Sequence, residues 1–149
     1  MTTRIAAAVS FIVLALSANA ALAQDHTRGW EQGHVVQVTN VHIKDGMFNA
    51  YINDLNAHWR KFLEQQIEDG DVIRYGMYAN PNSRKGEPDL ILVVTFKDWG
   101  TFDRGVEYFE ELGERVFGGM EEMRVAGVDR GELREIGTTM TLQEIRFKD

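Results

Sequence analysis

The chain has 149 residues, no cysteine, and 23 acidic against 16 basic side chains, giving a formal net charge of −7 at pH 7. That balance, with the basic residues scattered rather than clustered, argues against nucleic acid and anionic membrane surfaces as partners. The lack of cysteine excludes disulfides and thiolate chemistry, so the fold must be held by its apolar core or by self-association.

The chain opens on "MTTRIAAAVSFIVLALSANAALAQ". A lone Arg4 precedes an apolar run from Ile5 to Leu16, and two small-x-small sites follow, Ala18-Asn19-Ala20 and Ala21-Leu22-Ala23. This is the pattern of a bacterial-type signal peptide, with cleavage expected before Gln24 and a periplasmic or secreted product. The run is short for a membrane span, and no later stretch is apolar enough for one, so no membrane contact is expected after cleavage. The expected organisation is a signal peptide over 1–23, a flexible polar lead over 24–33, and one domain over 34–149.

"HVVQVTNVHI", His34 to Ile43, is β-branched and roughly alternating, and Lys44-Asp45-Gly46 closes this first strand with a turn. From Met47 to Glu68 the apolar residues Phe48, Ile52, Leu55, Trp59 and Phe62 recur at helical steps, and Asp69-Gly70 ends the helix. "VIRYGMYA", Val72 to Ala79, and "DLILVVTF", Asp89 to Phe96, read as a hairpin across a loop of turn residues. Asp98 can cap a second helix carrying Phe102, Val106, Phe109, Leu112 and Val116 until Gly118-Gly119 breaks it. A short third helix, Met120 to Ala126, and a threonine-rich strand, "TTMTLQEIRF" from Thr138 to Phe147, complete the chain.

Strand, helix, strand, strand, helix, strand is the split βαβ arrangement, an α+β ferredoxin-like protomer with a four-stranded antiparallel sheet and helices on one face. "LILVVTF" has no polar residue before Thr95, so the strand reads as buried on both sides, and something must cover the face the helices leave open. A second copy of the chain, a homodimer, is the economical cover.

Three stretches, "VTNVHIKDG" leading into a helix, "DVIRYGMYAN" and "LVVTFKDWGTFDRG", resemble the dimeric α+β barrel superfamily of antibiotic-biosynthesis-type monooxygenases and their relatives. The resemblance runs from His34 to Phe147. It implies two protomers pairing their sheets into a barrel, a pocket between sheet and helices in each, and an activity ranging from cofactor-independent oxygenase, isomerase or cyclase chemistry on a small aromatic or polyketide-like compound to none. The haem-degrading branch is a minor alternative. Its pocket asparagine would fall on Asn40, but the strand ends in Phe96 with Trp99 three residues on, and Gly100 to Gly118 holds no histidine to ligate iron. No cofactor is expected.

The 4 histidines, His26, His34, His42 and His58, show no metal spacing, and no metal site is expected. In the stretch "LNAHWRKF", with Leu55 at the centre of the buried arc, Trp59 lies about 40° to one side and His58 about 60° to the other. Trp59 reads as core packing or as a ring that stacks on a ligand. An imidazole on an apolar arc needs a hydrogen-bond partner. If the strand face of Val36, Val38, Asn40 and His42 turns toward the helices, Asn40, His58 and Tyr51 converge in one pocket, with His58 as acid/base and the other two orienting substrate. If it turns outward, Asn40 belongs to the dimer interface. Arg74, Phe96 and Trp99 join Trp59 as substrate-contacting candidates. The alternative function is a binding or stress-associated dimeric module without turnover.

Overall fold

The computed structural model describes residues 28–148, so the expected signal peptide lies outside the described residues. Four strands, β1 (Trp30–Ile43), β2 (Val72–Ala79), β3 (Leu90–Phe96) and β4 (Arg134–Phe147), form one antiparallel sheet in the order β2-β3-β1-β4. Between β1 and β2 run α1 (Phe48–Asp54), a π-helical segment (Leu55–Trp59) and α2 (Arg60–Glu68). Between β3 and β4 come a 3-10 turn (Trp99–Asp103), α3 (Val106–Phe117) and α4 (Met120–Gly131). The protomer is therefore the ferredoxin-like α+β fold that the hydrophobic pattern predicts.

Several boundaries differ from expectation. β1 begins at Trp30, inside the stretch expected to be a flexible lead, because Trp30 to Gln32 pair with Ile145 to Phe147 of β4. β4 in turn begins at Arg134, ahead of the expected Thr138. Asp98 does act as a cap, its Oδ1 accepting the Gly100 N–H at 2.8 Å, but of the 3-10 turn rather than of the long helix, which starts at Val106. Gly118, at φ 84°, takes the left-handed conformation that ends α3, and α4 then runs on to Gly131.

The helices cover the face of the sheet that carries Val35 and Val41 of β1 and Leu90, Leu92, Val94 and Phe96 of β3. Leu63 packs with Val35, Val72, Val94 and Phe96, whereas Tyr51 and Leu55 pack with Val41, Leu90 and Leu92. Trp59 touches both groups. Each fully buried aliphatic side chain contributes about 1.5–3 kcal/mol.

The opposite face holds Val36 and Val38 paired with Thr95 and Val93 on one side and with Leu142 and Met140 on the other. Met140 and Leu142 are exposed, and no helix among the described residues covers them. "LILVVTF" is accordingly buried on its Leu90, Leu92, Val94 side and only half-buried at Ile91 and Val93.

Candidate functional site

A half-open pocket of about 240 Å³ lies between sheet and helices. Its wall is aromatic, from Trp59 and Phe62 on the helix, Phe96 at the end of β3, Phe102 in the 3-10 turn and Phe109 in α3. Gln37 and Gln66 supply its amides and Thr101 a hydroxyl. The rings brace one another, with Phe96 and Phe102 tilted at 4.9 Å between centroids.

Gln66 is 5% exposed as a residue, and its backbone carbonyl accepts the Asp71 N–H. Its side-chain amide makes no hydrogen bond among the described residues but keeps contact with solvent, the buried side-chain polar atom left without a partner there being Arg134 Nε. An amide at the edge of such a wall can exchange water for a polar group of a ligand. Thr101 is different, because its hydroxyl donates to the Asp71 carbonyl at 3.3 Å.

An ion-pair network holds this mouth in place. Arg104 grips the buried Asp71 with both Nε and Nη2 at 2.9 Å, tying the loop after β3 to the start of β2. The Tyr108 hydroxyl donates to Asp69 at 2.9 Å, and burial first, then the neighbouring carboxylate, pushes its phenol well above the ordinary value. Arg115 adds a second bond to Asp69 at 3.0 Å.

The expected meeting of Asn40, His58 and Tyr51 does not occur. Asn40 lies on the uncovered face of β1, where its amide donates to Thr138 at 2.8 Å, because Val35 and Val41 take the helix side and alternation turns the even-numbered residues outward. Tyr51 is 1% exposed in the core, and burial raises its phenol despite the opposing Arg134 and Arg130, so it is a neutral hydroxyl rather than a base.

His58 leaves the sheet side altogether. Its Nδ1 meets Asp54 at 2.9 Å, its ring stacks on Phe117 at 5.2 Å, and Arg130 of α4 donates to the same Asp54. It borders an open groove of about 390 Å³ with Glu121, Glu122, Val125, Ala126 and Asp129. The partner demanded by an imidazole on this helix is therefore Asp54, one turn back. No group of three His, Asp or Glu side chains suited to a metal occurs among the described residues.

Of the other candidates, Trp59 and Phe96 line the aromatic pocket. Trp99 is 49% exposed and donates its indole N–H to Gln143 at 2.6 Å, outside the pocket. Arg74 is exposed opposite Thr95 on the uncovered face. Sequence reasoning missed Gln37 and Gln66. The signal was present in Gln66, the polar residue set among apolar positions one turn beyond Phe62 and Leu63.

No protein-family model matches the chain, and no curated protein matches it in sequence. Solved structures do match its fold. Protein SO0527 from Shewanella oneidensis superposes with a TM-score of 0.52 at 18% identity, over 78% of this chain and 98% of that one. HapK from Hahella chejuensis gives 0.51 at 9% identity, over 74% and 91%. A dimeric ferredoxin-like protein from an uncultured marine organism gives 0.51 at 17% identity, over 76% and 96%. At such identities the likeness establishes the ferredoxin-like fold alone.

Proposed function

We propose that the protein is an exported homodimer that binds a flat, uncharged aromatic molecule in the pocket between the sheet and helices of each subunit. The observation that carries this reading is the Gln66 amide, without a hydrogen-bond partner among the described residues and set among five aromatic side chains. Such a box offers stacking and edge contacts to a ring, and the amide can both donate to and accept from a phenol or quinone oxygen. Among the described residues, none of the pocket-lining side chains is an acid or base, which favours binding over turnover.

The homodimer rests on the uncovered apolar face. Val36, Val38, Ile91, Val93, Met140 and Leu142 would pack against their counterparts, and the marine neighbour is described as dimeric. This face lies opposite the pocket, so each subunit keeps its own site.

The test is calorimetry of the purified protein against phenol, naphthols and naphthoquinones, repeated with Gln66→Leu. Loss of one hydrogen bond should raise Kd for a hydroxyl-bearing ligand about tenfold. Failure of the wild-type protein to bind any of them, or unchanged affinity in Gln66→Leu, overturns the reading.

The Asp54–His58 contact favours a second reading in which His58 acts as acid/base at the α4 groove. Asp54 occupies Nδ1 and leaves Nε2 for a substrate. In that case ligands from the same panel would move the His58 imidazole resonances and leave affinity independent of Gln66.

A further inference from the structure

A second hollow, of about 250 Å³, sits beside the first on the β2 side of the helix. It is lined by Ile52, Asn53, Leu55, Asn56, Trp59, Arg60, Tyr75 and Met77. Among the described residues, Trp59 alone lines both this hollow and the aromatic pocket. Its indole therefore stands between the two hollows. From the geometry we infer that Trp59 is a movable partition, and that with the indole swung aside the two hollows become a single cleft for an elongated aromatic molecule of two or more rings with a hydrogen-bonding end group.

Two observations on the helix and its contacts support movement at this residue. Trp59 is the last residue of the π-helical segment, a stretch whose longer hydrogen-bonded loops interrupt the regular ladder between α1 and α2. The indole is only half-buried, and it meets Tyr75 edge-on at 5.2 Å.

The far hollow also differs in chemistry from the near one. Asn53 and Asn56 are exposed at its rim, and their side chains have no hydrogen-bond partner among the described residues. Arg60 meets Glu64 only at 3.7 Å, longer than a hydrogen bond. A ligand with one ring system among Phe62, Phe96, Phe102 and Phe109 would thus carry its second ring past Trp59, to end on these polar groups. The partition would set the length of ligand accepted, admitting one ring at rest and longer molecules when displaced.

This inference rests on the aromatic pocket being a binding site, and the experiment separates the two. The protein is titrated with phenol, a single ring, and with N-phenyl-1-naphthylamine, a longer fluorescent probe. Met77→Trp fills the far hollow from the exposed side of β2 without touching the aromatic pocket. It should weaken the long probe about tenfold or more and change phenol less than about twofold. Trp59→Ala should do the reverse, tightening the long probe and weakening phenol. Should Trp59→Ala not fold, Met77→Trp decides. Phenol binding combined with a long probe that does not bind, or that binds equally well to Met77→Trp, overturns the partition alone. Absence of phenol binding overturns the pocket and the partition with it.

Discussion

Gln66 sets stability against binding at a single side chain. The residue is 5% exposed and its amide makes no hydrogen bond among the described residues, so leucine would add apolar contact there without breaking a bond. Gln66→Leu should therefore raise stability in urea by about 1 kcal/mol while it weakens ligand binding, and a loss of both would mean that the amide is structural. Asp54 is the opposite case, a largely buried carboxylate with a partner on each side, His58 and Arg130. Replacing Arg130 with alanine leaves that charge poorly compensated and should cost about 2–3 kcal/mol in a denaturant melt. His58→Ala should cost about 1 kcal/mol, because Arg130 still faces Asp54 and only one hydrogen bond and the stack on Phe117 are lost. If the order of these two effects were reversed, His58 and not Arg130 would be the main support of Asp54.

At the scale of elements, the loop that holds Phe102 over the pocket depends on Arg104 and Asp71. Arg104→Gln should leave the sheet intact but release the 3-10 turn, seen as faster amide exchange confined to Trp99–Asp103 and weaker binding in the aromatic pocket. Slow exchange there in the variant would show that the Asp98 cap and the Thr101–Asp71 bond hold the turn without Arg104. The loop between β2 and β3 has its own clamp, Asp89, which accepts from the Ser83 hydroxyl at 2.6 Å and from the Ile43 N–H at 2.8 Å. These bonds, the Ser83 hydroxyl foremost, hold its carboxyl below the ordinary value. A lowered native pKa stabilises the fold above the unfolded value of about 4, and that stability is lost as pH falls through the native value. Asp89→Asn should therefore fall furthest below the wild type near neutral pH and converge with it in acid, and a gap independent of pH would assign the effect to packing. The periodicities of 3.6 and 2 made these elements legible in sequence, apart from the start of α3, the end of α4 and the ends of β1 and β4. Pairing across the sheet carries both strands past their alternating stretches, and a single strand read alone cannot show it.

For the whole molecule, the face of β1 was the decision sequence could not make. Val35 and Val41 lie on one side and Val36 and Val38 on the other, so both faces are apolar and alternation supplies no sign. The helices choose the Val35 face, which sends Asn40 outward and leaves Gln37 as the polar group of β1 in the pocket. An architecture was thus readable while the site was not, because a site depends on which residues from separate elements share a side. The same choice leaves Val36, Val38, Met140 and Leu142 on the open face, and four such side chains in adjacent strands favour a matching sheet over water. Replacing Met140 and Leu142 with aspartate places charges where two copies would meet, on residues already exposed in the protomer. The wild type should sediment as a dimer at micromolar concentration and the double variant as a monomer with an unchanged circular dichroism spectrum and an intact phenol site. A monomeric wild type at about 100 μM, well above the Kd of a standard-sized interface, would mean that this face is covered by something other than a second copy.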